Sequence, residues 1–168
     1  IDAVIDYLPC PTDIPVAKGI SVKKDREEEV DIPCDEKKMP LGLVFKISYD
    51  KDMGPLSFVR VYSGKFTTGS QVLNVGKKKR ERINRILRVN ANHMEQMDSV
   101  SAGDIAVFVG LKISQTGDTL GSEGFPILLE NVKFPEPVIS VAIEPESISD
   151  KDKLNDLAIK VSKDINLS

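Results

Sequence analysis

One stretch decides the fold of this chain: Gly54-Pro55-Leu56-Ser57-Phe58-Val59-Arg60-Val61-Tyr62-Ser63-Gly64. Apolar and polar residues alternate along it, and a glycine stands at each end, which is typical of an antiparallel strand with one buried face. The same alternation, interrupted by glycine and proline, runs from residue 39 to residue 120. Several short strands at this spacing favour a mainly β fold, a closed antiparallel β-barrel, because closure removes exposed strand edges.

The strands of this barrel are predicted from the apolar runs that lie between turn residues. We expect them at residues 41–48, 56–63, 71–75, 80–89, 94–100 and 104–111, with 126–129 closing the sheet. Gly64, Gly69 and the segment 50–54 are the expected turns. Residues 77–80 follow Gly76 and are predicted to form an exposed hairpin tip.

The segments on either side of the barrel differ from it in composition. Residues 1–8 have apolar residues at helical spacing before Pro9, which predicts a short amphipathic helix. Residues 9–40 are rich in proline and charge and indicate a linker, in part disordered. Residues 138–161 predict a βα unit that is too small to be stable alone. The expected domains are 1–38, 39–133 and 134–168.

Positive charge is concentrated in one part of an acidic chain. The net charge is −3, yet residues 77–88 contain seven basic residues against Glu81, so the rest of the chain carries −9. The basic residues of this strip are Lys77, Lys78, Lys79, Arg80, Arg82, Arg85 and Arg88. A localised basic strip favours one anionic partner, and guanidinium groups bind phosphate well, so the strip predicts RNA contact. The alternative is a lysine-rich tip that serves solubility and protects a strand edge.

The sequence has few residues that point to catalysis. There is no Gly-x-x-x-x-Gly-Lys-Ser/Thr phosphate loop, and His93 stands alone in what we interpret as a turn. The paired carboxylates Asp50 and Asp52 are interpreted as solvated turn residues, and no metal site is expected. Asp104 and Asp118 each follow a glycine and are interpreted as turn caps at strand starts.

Three further features concern partners and environment. Cys10 and Cys34 are interpreted as free thiols in a reducing compartment. No apolar run approaches the roughly 20 residues that span a bilayer, so no membrane partner is expected. Arg60 lies among apolar residues, where it either holds a carboxylate within the barrel or contacts a neighbouring domain.

Several motifs occur in an order that resembles domain II of translational GTPases, and the match to the elongation factor G family is close. The flanks are similar as well: residues 2–9 resemble the last helix of the family's GTPase domain, and residues 134–145 the opening of its domain III. The barrel motifs are Phe58-x-Arg60-Val61-Tyr62-Ser63-Gly64, Arg80-Glu81-Arg82-Ile83-x-Arg85-Ile86-Leu87, Asn90-Ala91-Asn92, Ala102-Gly103-Asp104 and Gly110-Leu111-Lys112-x-x-x-Thr116-Gly117-Asp118-Thr119-Leu120.

The resemblance implies a non-catalytic module of a factor that promotes GTP-dependent translocation of tRNA and mRNA. In the family, domain II packs on the GTPase domain and touches small-subunit ribosomal RNA. GTP and Mg²⁺ would be bound by the parent protein's GTPase domain and not by this chain. No DNA partner is implied, and the location is the cytoplasm, or the mitochondrial matrix in a eukaryote. By position, the expected RNA contacts are Lys65, Arg80, Arg82 and Arg85, to which the strip adds Lys77, Lys78 and Lys79; Arg60 is the interdomain candidate.

One motif departs from the family's main bacterial pattern. Residues 50–56 lack the Pro-Phe-x-Gly-Lys/Arg-Leu motif and look more like the second, mitochondrial-type branch of the family. Some members of that branch act in ribosome recycling. Recycling is therefore an alternative to translocation. An independent RNA-binding barrel similar to an OB-fold is disfavoured because the chain has few aromatic residues for base stacking. A purely structural spacer between domains is the remaining alternative.

Overall fold

The computed structural model of the chain describes residues 2–23, 26–91 and 93–129. These residues form a mainly β structure with one short helix, α1 (Asp2–Tyr7), and thirteen strands. The strands are β1 (Ala17–Lys23), β2 (Arg26–Ile32), β3 (Leu41–Asp50), β4 (Gly54–Ser63), β5 (Lys65–Thr67), β6 (Gln71–Asn74), β7 (Lys79–Arg82), β8 (Arg85–Asn90), β9 (His93–Met97), β10 (Ser99–Ser101), β11 (Ile105–Val109), β12 (Thr119–Gly121) and β13 (Ile127–Leu129).

Eight strands form one antiparallel sheet in the order β7-β6-β12-β3-β4-β11-β8-β9, while β5 pairs with β10. Val59 and Val61 of β4, Phe66 of β5 and Phe108 of β11 belong to one buried core, to which strands near both ends of the sheet also contribute. The rings of Phe66 and Phe108 meet edge to face at 5.2 Å between centroids. The large sheet therefore curves so that its inner face surrounds a shared, mostly aliphatic core.

The predicted mainly β fold is confirmed, but closure into a barrel is not. The described hydrogen-bond ladder is open between the edge strands β7 and β9. Isolated backbone bonds lie on this side instead: the Gly69 N–H donates to the Ile83 carbonyl at 2.7 Å, and the Thr68 N–H to the Asp98 carbonyl at 2.8 Å. The strands β5 and β10 form a separate two-stranded sheet, so they do not extend the ladder across the gap.

The interpretation of residues 9–40 as a linker missed a β-hairpin. β1 and β2 pair along their length, and β13 adds a third strand to β1. β13 thus joins this small sheet and does not close the large one, which corrects the prediction for residues 126–129. Ile32, Ile127 and Leu129 pack with Leu41 and Leu43 of β3 in a second core, which joins the small sheet to the large one.

Two predicted strands are each divided in the structure. Residues 80–89 form β7 and β8, separated at Ile83 and Asn84, because the chain changes its pairing partner from β6 to β11. Residues 94–100 are divided between β9 and β10 at Asp98. The short strands β5 and β12 were not predicted. The predicted N-terminal helix is confirmed as α1, none of whose residues is buried. The predicted βα unit at 138–161 lies outside the described residues.

Candidate functional site

The basic strip begins at the turn between β6 and β7, which confirms the predicted hairpin. Lys78 adopts a left-handed backbone conformation, with φ of 53°, at the tip of the turn. Both Lys78 and Lys79 are exposed to solvent. Neither ammonium group forms an ion pair with any residue that the structure describes. These two charges are therefore available to an external anion.

Lys77 differs from its neighbours because its ammonium group is used within the protein. It donates to the Ile113 carbonyl at 2.6 Å, to Gln115 Oε1 at 2.9 Å and to Asp118 Oδ2 at 2.7 Å. Asp118 Oδ2 also accepts from Asn74 Nδ2 at 2.8 Å and from the Gln115 N–H at 2.7 Å. Asp118 is thus a turn cap, as predicted, and also the counter-ion of Lys77. Lys77 tethers the hairpin to residues 113–118.

Glu81, the one acidic residue of the strip, points into the protein. Its carboxylate accepts the Lys112 N–H at 2.6 Å, the Ile113 N–H at 2.8 Å and the Ser114 hydroxyl. Alternation along β7 explains this geometry, since Glu81 faces inward between the exposed Arg80 and Arg82. The buried carboxylate satisfies backbone groups that would otherwise lack partners. Glu81 therefore orders the loop beside the basic hairpin.

Arg80 and Arg82 project from β7 toward solvent, but both already have partners. The Arg80 guanidinium binds the Glu123 carboxylate through two hydrogen bonds, one of them from Nη2 to Oε2 at 2.9 Å. This ion pair raises the pKa of Arg80. The Arg82 Nε donates to the Gly69 carbonyl at 3.2 Å. Because the ion pair of Arg80 is exposed, it is weak, and a phosphate is able to compete with Glu123 for the guanidinium.

Arg85 and Arg88 leave β8 on opposite faces of the sheet. Arg85 shares the outer face with Leu87, whereas Arg88 shares the face of the core residue Ile86 and lies opposite Glu95 of β9 in the strand register. Lys65, the predicted contact outside the strip, is exposed at the start of β5. The seven basic residues of the strip therefore do not form one surface.

Arg60 lies on the outer face of β4 beside a cavity of about 230 Å³. Its guanidinium carbon is 5.2 Å from the centroid of the Tyr62 ring, a cation–π contact. Cys34 and Gly103 also line the cavity. No described carboxylate forms an ion pair with Arg60. The proposed carboxylate anchor within the barrel is therefore not observed among the described residues, and contact with another domain stays a prediction.

An aromatic patch on the outer face was missed by the sequence interpretation. A β-bulge between Val44 and Lys46 leaves Phe45 without a partner on β4, so Phe45 and Lys46 are both exposed. The Phe45 and Phe58 rings meet edge to face at 6.3 Å between centroids, and Lys46 Nζ lies 5.5 Å from the Phe58 centroid. Two consecutive exposed residues in a strand are a departure from alternation that only the bulge explains.

The remaining candidate residues lie outside the basic strip. Asp50 Oδ1 accepts the N–H groups of Asp52 and Met53, each at 2.9 Å, and these bonds lower the pKa of Asp50. His93 is exposed opposite Asn90 at the end of a hairpin. Cys10 and Cys34 are free thiols, as predicted. Within the described ranges no cluster of three His, Cys, Asp or Glu side chains is arranged to hold a metal ion. None of the helices described is long and apolar enough to cross a membrane.

Comparison with known proteins identifies the family. The family model for elongation factor G domain 2 matches residues 39–123, the segment that contains the large sheet and the basic hairpin. This chain belongs to the elongation factor G family. Elongation factor G 1 of Treponema denticola is 61% identical over 164 residues, which are 98% of this chain and 24% of that protein. Elongation factor G 2 of Treponema pallidum is 49% identical over 156 residues, 93% of this chain and 22% of that protein.

The chain thus spans about a quarter of the length of these elongation factor G relatives. A crystal structure of a protein from Thermus thermophilus has the same fold, with a TM-score of 0.58 and 20% identity, over 76% of this chain and 19% of that one. The resemblance to elongation factor G is therefore confirmed, and the chain is a module of a translation elongation factor. Both relatives are bacterial, so a mitochondrial location is not supported.

Proposed function

We propose that this chain is the non-catalytic, ribosome-contacting module of a cytoplasmic elongation factor G-type GTPase that promotes translocation of tRNA and mRNA. Residues 39–133 would form its domain II, flanked by the end of the GTPase domain in 1–38 and the start of domain III in 134–168. GTP and Mg²⁺ would bind elsewhere in the parent protein, because this sequence has no phosphate loop. Its partners would be small-subunit ribosomal RNA and the other domains.

One observation carries this proposal: two exposed lysines, with no ion-pair partner in the part of the chain that the structure describes, stand at the tip of a hairpin on an otherwise acidic chain. Lys78 and Lys79 need no rearrangement to meet a phosphate, and positive charge concentrated on an acidic chain attracts a polyanion to the hairpin. Two further predicted contacts, Lys65 and Arg85, are exposed to solvent. Arg82 has N–H donors left besides the one bonded to the Gly69 carbonyl, and Arg80 would bind phosphate in place of the Glu123 carboxylate. Lys77 would contribute to the stability of the hairpin and not to phosphate binding.

The test is binding of the chain to small-subunit ribosomal RNA across a salt series. Each phosphate contact contributes roughly 0.7 to 0.9 to the slope of log affinity against log salt concentration, so Lys78→Gln with Lys79→Gln should reduce the slope by about 1.5. The matched control is Lys37→Gln with Lys38→Gln, two exposed neighbouring lysines outside the hairpin, which should leave the slope unchanged. Absence of salt-dependent binding, or equal slopes for both double variants, would refute the proposal.

A further inference from the structure

The outer face of the large sheet carries an aromatic and cationic patch outside the basic strip, formed by Phe45, Lys46 and Phe58. The bulge at Phe45 is the reason that the patch exists, because a regular strand would turn one of two consecutive residues inward. Phe45 is 37% exposed, a large fraction for a phenylalanine on a folded surface. The patch therefore presents apolar aromatic surface and a positive charge side by side.

A buried apolar cluster lies beneath the patch and supports it. Phe58 packs against a buried cluster on the same outer face, formed by Leu56, Leu87, Val107 and Val109. The strand register places Phe58 opposite Val107, and Val107 opposite Leu87. The apolar cluster beneath the patch therefore extends across β4, β11 and β8. Edge-to-face contact with Phe58 holds the Phe45 ring, and Lys46 lies over the Phe58 ring. The aromatic groups are therefore held in position before any ligand arrives.

The same face leads to one of the predicted phosphate contacts. Arg85 lies opposite Val109, and Val109 opposite Leu56, in the row next to that of Phe58. Three strand spacings, about 14 Å, separate β3, which carries Phe45, from β8, which carries Arg85, a distance that a few nucleotides of a single strand are able to span. Aromatic rings flanked by cations are the arrangement that proteins use to stack unpaired bases while they neutralise the backbone.

We propose that Phe45, Lys46 and Phe58 form a platform on which an unpaired RNA base stacks against Phe45, with Lys46 binding an adjacent phosphate. The inference rests on the proposed ribosomal function and adds a nucleobase contact to the phosphate contacts of the hairpin. The small number of aromatic residues disfavoured an independent OB-fold-like barrel, but it does not exclude one stacking contact within an elongation factor module. The position of these residues, and not their number, carries the inference.

The experiment measures binding of the chain to a short single-stranded oligoadenylate that contains 2-aminopurine, whose fluorescence reports stacking. Phe45→Leu keeps apolar surface but removes the ring, and it should weaken binding about 5-fold or more without a change in salt slope. Phe45→Tyr should restore binding. Lys46→Gln should lower the slope by about 0.7. Phe125→Leu is the matched control, since Phe125 is also 37% exposed but lies outside the patch, and it should bind normally.

Several outcomes would overturn the inference, and they differ from failure of the proposed function. Equal binding by Phe45→Leu and the unchanged chain, with thermal unfolding showing that both are folded, would exclude the stacking platform while salt-dependent binding to ribosomal RNA still supports the function. If Phe45→Leu impaired binding to intact small subunits but not to RNA, the patch would contact protein, and the nucleobase assignment would be wrong. Loss of all salt-dependent binding by the unchanged chain would refute the function itself.

Discussion

Lys77 and Lys78 are adjacent in sequence but serve different purposes. The Lys77 ammonium group contacts three oxygen atoms of the segment 113–118, at 2.6 to 2.9 Å. Lys78 is exposed at the tip of the turn, in the left-handed backbone conformation. Partly buried, charge-assisted hydrogen bonds contribute to stability, whereas an exposed cation contributes mainly to binding of anions. One residue position therefore separates a structural lysine from a predicted RNA contact.

This difference predicts opposite effects of the same substitution. Lys77→Gln should destabilise the chain by about 1–2 kcal/mol, because Asp118 loses its charged donor, and should leave the salt slope of RNA binding unchanged. Lys78→Gln should leave stability nearly unchanged and lower the slope by about 0.7 to 0.9. Urea denaturation and salt titration measure the two effects. A reduced slope for Lys77→Gln would show that its ammonium group contacts phosphate after all.

Among the elements, the end of β4 is determined by the backbone conformation of Gly64. Gly64 has φ of 69°, and a Cβ atom there would lie 2.4 Å from the Pro40 nitrogen and 2.5 Å from the Met39 carbonyl carbon. Glycine therefore lets β4 turn into β5 while the segment before β3 passes directly over the turn. Gly54, at the start of β4, has a similar φ of 76° but no atom within 4 Å of the position of a Cβ.

Comparison of Gly64 with Gly54 separates the energetic cost of left-handed backbone strain from the cost of a steric clash. Gly64→Ala should destabilise the chain by about 2–4 kcal/mol, because left-handed strain adds to a backbone clash that no side-chain rotation relieves. Gly54→Ala has the strain without the clash and should destabilise by about 1 kcal/mol. Chemical denaturation of both variants gives the comparison. Equal losses would mean that the segment before β3 moves away without penalty and that packing at Gly64 is loose.

For the whole molecule, the small sheet is an integral part of the fold. Ile32 of β2 and Ile127 of β13 are buried against Leu41 and Leu43 of the large sheet. The charged side of the hairpin faces away, and Ile20 on that side is 42% exposed. A segment rich in charge thus contributes apolar residues to the core by placing them on alternate positions. The strands β1, β2 and β13 should consequently unfold together with the large sheet.

Substitutions on the two faces of the hairpin test this cooperation. Ile32→Ala should destabilise the whole described structure by about 2–5 kcal/mol, because it leaves a cavity between the two sheets. Ile20→Ala, on the exposed face, should change stability by less than about 0.5 kcal/mol. Hydrogen exchange should show the loss for Ile32→Ala in amides of both sheets. If protection fell in the hairpin alone, the small sheet would be an independent unit.

Local patterns in the sequence were sufficient to predict many strands and turns of the large sheet. Alternation and apolar runs between turn residues predicted β3, β4, β6 and β11 to within two residues at each end, because these patterns depend only on which faces of a strand are buried. The turns at Gly64 and Gly69 were predicted because glycine tolerates positive φ. Motif order was sufficient to predict the family. The basic hairpin was also predicted from sequence, because a run of lysines after Gly76 favours an exposed turn, although Lys77 then proved to be bonded within the protein.

Only the tertiary structure decided which residues of the basic strip remain available. Lys77 meets Asp118, 41 positions away, and Glu81 meets Ser114, 33 positions away, so their roles depend on how distant segments pack. The bulge that exposes Phe45, the hairpin within residues 9–40 and the pairing of β13 have the same origin. The periodicity of apolar residues indicates which residues of a strand are buried. It does not determine which strands pair or which side chains meet, because those contacts form between segments that are distant in sequence.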